Sequence, residues 1–164
     1  MFQFCQEIPL TLLEEEECAV MIQTIGRLMQ IQHDSESLRR IFLATGRHPF
    51  ITRQLGRCMV EGLRRPCLIQ VKEVEKGLDR YLAEEKYTAY IADVCNLLEE
   101  NEKDLLTQIA GAEDGMRLST LNSKSGTVRK TLASLKQNLL VSEQGERVWI
   151  SIGLVRRWIQ QEWG

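Results

Sequence analysis

The chain has 164 residues with 43% hydrophobic content, enough for one compact unit or two small domains, and no stretch reaches the roughly 20 apolar residues of a membrane span. Leu, Glu, Gln, Arg and Lys dominate and only three prolines occur, a mix that favours helix. The formal net charge of −2 hides a division: residues 1–114 hold 13 Lys/Arg against 20 Asp/Glu, and residues 115–164 hold 8 against 3, an acidic front and a basic back that suggest two modules with different partners.

The opening FQFCQEIPL alternates briefly and carries Pro9, as a short edge strand or an extended lead-in does. TLLEEEECAVMIQTIGRLMQ predicts a first helix. Thr11 is a candidate N-cap, Glu14–Glu17 suit the positive end of the helix dipole, and Val20, Met21, Thr24, Ile25 and Leu28 share one face. HDSESLRRIFLATG predicts a second helix, capped by Asp34 or Ser35 and stopped at Gly46. Pro49 suits the first turn of a third, PFITRQLGRCMVEGLRR, which Pro66 closes. VKEVEKGLDRYLAE predicts a fourth, with Val71, Val74, Leu78, Tyr81 and Leu82 along a stripe. KYTAYIADVCNLLEENEKDLLTQIAG continues helically, breaks near Leu98–Asn101 and ends at Gly111.

The tail behaves differently. MRLSTLNSKSG reads as a short helix with a turn. GTVRKTLASLKQNLLV is strongly helical, with Val128, Leu132 and Leu135 on one face and Lys124, Arg129, Lys130 and Lys136 exposed. LLVSEQGERVWISI alternates about a glycine-containing turn, as a β-hairpin does. GLVRRWIQQEW closes as an amphipathic helix. Helices followed by a two-stranded wing are the layout of a winged helix-turn-helix. In such a unit the helix over 126–137 is the recognition helix. Lys124, Arg129, Lys130 and Lys136 are then the candidates for neutralising the phosphates of duplex DNA, and Ser123, Ser125 or Asn122 for approaching base edges.

The five cysteines, Cys5, Cys18, Cys58, Cys67 and Cys95, are odd in number and no two stand as CxxC. They read as small hydrophobes in a reducing compartment, neither a disulfide framework nor a metal site. The first residues lack a basic start and a long apolar run, so no secretory signal is expected and a cytoplasmic protein is. No metal-protease helix motif, nucleophile elbow or glycine-rich phosphate loop occurs. No catalytic residue is expected, and this chain alone is not expected to be an enzyme.

ATGRHPFITRQLG resembles the start of the lid in AAA+ ATPases of the STAND class, the signal-transduction NTPases. Thr45, Gly46, His48, Pro49, Phe50 and Gln54 match that motif, and Arg47 stands where the family has a second glycine. In the family a winged helix follows the lid. GLVRRWIQQEW, with Arg156, Arg157 and Trp158, is similar to its end, NLLEENEKDLLTQIAG to its opening, and QEIPLTLLEEEECAVMI to the passage before the lid. The resemblance implies that the turn at Gly46, His48 and Pro49 lies on the adenine side of a bound nucleotide, with Arg53 one turn into the lid helix as a phosphate sensor. The phosphate loop, the Mg²⁺-binding strand end and the arginine finger of such ATPases precede the lid and have no counterpart here, so a fragment of a longer protein is expected.

The expected fold is mainly α: a helical-bundle lid over residues 1–85, then a winged-helix domain with a small hairpin wing over 86–164. The expected function is to couple the ATP or ADP state of a separate N-terminal ATPase core to a partner, in a protein that oligomerises when whole. A winged-helix DNA-binding regulator and a protein-interaction module docking an effector domain are the alternatives.

Overall fold

Residues 12–64, 66–112, 114–121 and 128–164 are described by the computed structural model. The expected lead-in, the Thr11 cap and the expected contacts of Asn122, Ser123, Lys124 and Ser125 lie outside these residues. The described chain is mainly α, with two small sheets.

Helix α1 (Glu15–Leu28) starts at Glu14. Glu14 and Glu17 form a reciprocal capping box in which Glu14 N donates to Glu17 Oε2 at 2.9 Å, so two of the four consecutive glutamates satisfy free N–H groups of the first turn. The face predicted to be core is not the one buried. Cys18, Ile22 and Gly26 point inward, whereas Val20, Ile25 and Leu28 are exposed. Packing decides this: a Cβ on Gly26 would stand 2.8 Å from Ile31 O, so the glycine lets the returning strand close onto α1.

That strand, β1 (Ile31–His33), pairs in parallel with β2 (Cys67–Ile69), Ile31 opposite Cys67 and His33 opposite Ile69. The front of the chain is thus not all-helical as expected. Each strand has only three residues, too few for a period to register. Between them lie α2 (Ser35–Thr45) and α3 (Pro49–Val60). Asp34 Oδ1 accepts from Ser37 N at 2.7 Å and begins α2, and Gly46 in the left-handed region (φ 55°) ends it. Helix α3 stops at Val60, short of Pro66, and Gly62 (φ 82°) turns the chain toward β2.

Helices α4 (Val71–Ala83), α5 (Glu85–Asn96) and α6 (Glu100–Ala110) follow, with the break between the last two where the sequence expects it. Then come β3 (Met116–Arg117), a single 3₁₀ turn over Leu118–Thr120, α7 (Val128–Gln137), β4 (Val141–Gln144), β5 (Arg147–Ile150) and α8 (Gly153–Glu162). In the described part of the stretch read as a short helix with a turn, Met116–Arg117 is a strand and Leu118–Thr120 a 3₁₀ turn. β3 and β4 flank β5 in an antiparallel sheet. Gly145 (φ 61°) takes the first position of the two-residue turn between Gln144 and Arg147, where a II′ hairpin places its glycine.

Helix α8 packs against α2, α4 and α5 as well as α6 and β5. One cluster of buried side chains runs from Cys18 through Leu55, Tyr81, Ile91 and Leu106 to Ile159. Each fully buried leucine such as Leu78 or Leu105 contributes about 1.5–3 kcal/mol by leaving water. Among the described residues no helix is long and apolar enough to cross a membrane.

Candidate functional site

The corner between α2 and α3 is held from inside. Thr45 Oγ1 donates to Ile41 O at 2.9 Å, and Thr52 Oγ1 donates to Thr45 Oγ1 at 3.0 Å, tying the end of one helix to the first turn of the next. His48 N donates to Thr45 O at 3.0 Å. Arg47 has φ 61° directly after Gly46, so two left-handed residues in a row reverse the chain. A side chain is rare in that conformation, and this is the position at which the resembled family has glycine. The Arg47 guanidinium swings outward to Glu14 at 3.6 Å.

Gly46 has a second reason to be glycine. A Cβ there would lie 2.3 Å from Ser151 O and 3.0 Å from Ile152 Cα. Reciprocally, a Cβ on Gly153 would lie 2.7 Å from Leu43 O. The end of α2 and the junction of β5 with α8 therefore cross backbone against backbone, with a glycine from each side making room.

Beside this crossing opens a cleft of about 690 Å³. Arg39, Arg40 and Arg47 line one wall, Arg156 and Arg157 the other, with Trp149 alongside; Glu15 is the one carboxylate in the lining among the described residues. Glu75 lies behind and takes both Arg40 Nε and Arg157 Nη2, the latter at 3.4 Å. The hydrogen bond from Arg40 holds the Glu75 carboxyl below its ordinary value, so it stays ionised and orients both guanidiniums. Gly153, the first residue of α8, also lines the cleft, and no side chain caps that helix. Its first-turn N–H groups lack intrahelical acceptors and carry the positive end of the dipole. Planar guanidiniums and a helix N-terminus converge on one space, a composition suited to phosphate or carboxylate oxygens.

Three of the expected nucleotide-side residues, His48, Pro49 and Arg53, do not line this cleft. Gly46 lines the cleft. Pro49 opens α3 as its first residue. His48 caps α3, accepting at Nδ1 from Ile51 N at 3.5 Å, and turns its ring inward, with Nε2 3.4 Å from Tyr90 Oη. Burial lowers its pKa. Arg53 is exposed and lines a different groove, between α1 and α3. The sequence pointed to the corner but not to Arg39 and Arg40, and it placed Arg156 and Arg157 only within a terminal motif. The signal that marks the cleft is a convergence of segments more than a hundred residues apart, which no local spacing encodes.

On α7, Arg129 and Lys130 are exposed, and Lys136 is paired with Glu143 on β4. Lys124 lies outside the described residues. The hairpin beside α7 carries Glu143 and Glu146, both exposed. Among the described residues no group of His, Cys, Asp and Glu is placed to hold a metal ion. No protein-family model matches the chain, and no curated protein matches it.

Proposed function

We propose that the chain is the lid and winged-helix portion of a STAND-type ATPase, and that it senses the phosphates of a nucleotide held by a separate core. The carrying observation is the arginine-lined cleft at the Gly46 corner, with one wall from α2 and the other from β5 and α8. In this reading α1–α4 are the lid. Helix α6, the Leu118–Thr120 turn, α7 and the β4–β5 hairpin are the winged helix, with β3 as its third strand. The anion neutralises guanidiniums on both walls, so it favours the closed arrangement by its greater affinity for it. Loss of that charge loosens α8 from α2 and changes the surface shown to a partner. The core supplies Mg²⁺ chemistry and hydrolysis; this chain supplies the coupling.

Pyrophosphate is the direct probe. Trp149 lines the cleft, so its fluorescence reports occupancy, with Trp149→Phe to separate it from Trp158 and Trp163. Saturable quenching by pyrophosphate and ADP, lost in an Arg39→Glu, Arg156→Glu variant that keeps its helical spectrum, is the expected result. No response at low ionic strength rejects the reading.

DNA binding through α7 ranks second. The exposed pair Arg129 and Lys130 favours it, whereas Glu143 and Glu146 on the adjacent hairpin would repel the backbone. Salt-dependent binding to duplex DNA that disappears in Arg129→Ala, Lys130→Ala would raise that reading above the first.

A further inference from the structure

Two hydroxyls meet in the lining of the arginine cleft. Ser142 Oγ, on β4, and Ser151 Oγ, one residue past β5, lie 2.8 Å apart, and both residues line the cleft. Either can donate to the other, and each hydroxyl holds one hydrogen. One mutual hydrogen bond therefore leaves one hydrogen over. Among the described residues nothing accepts it. Both serines are half-exposed, so a ligand in the cleft can reach the pair.

The backbone fixes where the pair stands. Ser151 N donates to Leu140 O at 2.9 Å, and Ser142 lies opposite Trp149 in the β4–β5 register. Ser151 also marks the place where the two walls meet, because its carbonyl oxygen would stand 2.3 Å from a Cβ on Gly46. Donors thus enter the cleft from three directions. Arg39, Arg40 and Arg47 come from the α2 wall, Arg156 and Arg157 from the α8 wall, and the spare hydroxyl from the junction between them.

A carboxylate keeps its two oxygens in one plane and pairs edge-on with a single guanidinium fork. A terminal phosphoryl group ends in three diverging oxygens. Two of them can take guanidiniums while the third, out of that plane, is left for a hydroxyl. Building on the phosphate reading of this cleft, we propose that the Ser142–Ser151 pair is its specificity-determining element and selects a terminal phosphoryl group over a carboxylate. Charge does not make this choice, since the same guanidiniums attract both anions. The hydroxyl adds a bond to the tetrahedral one.

Sulfate and malonate test it, because both are dianions at neutral pH and only sulfate is tetrahedral. Each competes with pyrophosphate for the full chain at constant ionic strength, followed by calorimetry. Sulfate is expected to displace pyrophosphate at about a tenth of the malonate concentration, the gain from one added hydrogen bond to a charged group. A Ser142→Ala, Ser151→Ala chain loses that preference through weaker sulfate binding, with malonate unchanged. Ser142→Thr, which keeps a hydroxyl, retains it. Circular dichroism checks that each variant remains helical. Equal displacement by the two anions in the unsubstituted chain overturns the proposal without recourse to any variant and leaves the phosphate reading standing. A preference that survives the double substitution does the same, as does a folded double variant that loses both anions alike, which makes the pair structural. Pyrophosphate that fails to bind the unsubstituted chain overturns the phosphate reading and the proposal together.

Discussion

Replacing Gly46 with alanine probes both roles of that residue at once. The new Cβ would sit 2.3 Å from Ser151 O, where ordinary contact begins at 3.4 Å, so α2 and the β5–α8 junction must separate by about 1 Å. Overpacking of this kind costs about 1–3 kcal/mol, and holding an L-residue in the left-handed region adds about 1 kcal/mol. The stiffer unfolded chain returns about 0.5 kcal/mol, which leaves a net loss of about 1.5–3.5 kcal/mol. Gly62 is the internal control, with φ 82° and, among the described residues, nothing within 4 Å of its Cβ position. Gly62→Ala bears the backbone term alone and loses about 1 kcal/mol or less. Urea unfolding followed by helical circular dichroism gives both values, and the continuous core favours one cooperative transition. Gly153→Ala strains the same gap from the other side, so the double variant should lose less than the sum of the singles. If Gly46→Ala costs no more than Gly62→Ala, the backbone crossing does not hold the two halves together and the reasoning fails.

Stability should fall with pH between about 7 and 5, because burial keeps both histidines, His33 and His48, below their ordinary value of 6.5. In that window the unfolded chain binds protons that the folded chain refuses, so the contribution is level above about 6.5 and is lost as pH drops. The depressed carboxyls of Glu61, Glu75 and Glu84 act in the same sense, but below their ordinary 4.5. A His33→Asn, His48→Asn chain should therefore show a flatter profile from pH 7 to 5 by denaturant titration; an unchanged slope would rule the histidines out. Tyr81 is fully buried and its hydroxyl has no hydrogen-bond partner among the described residues, so Tyr81→Phe should be neutral or stabilise the chain by about 1 kcal/mol. A loss of melting temperature on that change would reveal a partner for the hydroxyl. Among the four described cysteines, Cys67 is half-exposed while Cys18, Cys58 and Cys95 are buried, with the Cys95 thiol pushed up to about 12 by burial. Alkylation read by mass spectrometry should modify Cys67 first and Cys95 only on unfolding.

Much of the helical framework is local and could be read from the chain. Asp34 accepts from Ser37 N, Gly46 supplies the left-handed stop and Pro49 fills a first-turn position that needs no N–H, and all three act within four residues of themselves. The face of α7 with Leu132 and Leu135 inward, and the hairpin turning at Gly145, were legible for the same reason. Helix α1 was not. Its apolar residues make two overlapping stripes, and only contact with α3 and β1 selects Cys18, Ile22 and Gly26 over Val20, Ile25 and Leu28. The β1–β2 pair escaped because three residues cannot display alternation, and because its register comes from the helices that carry Cys67 back to Ile31.

The candidate site divides along the same line. The sequence alone determined the α2–α3 corner, since a glycine and a proline restrict φ wherever they stand. Only the tertiary structure decided what the corner faces. It turned His48 inward to Tyr90, set Arg53 on another groove, and brought Arg39 and Arg40 across from Arg156 and Arg157. Backbone preference is a property of one residue and its neighbours, whereas a charged cleft is a property of surfaces that meet only once the core has closed.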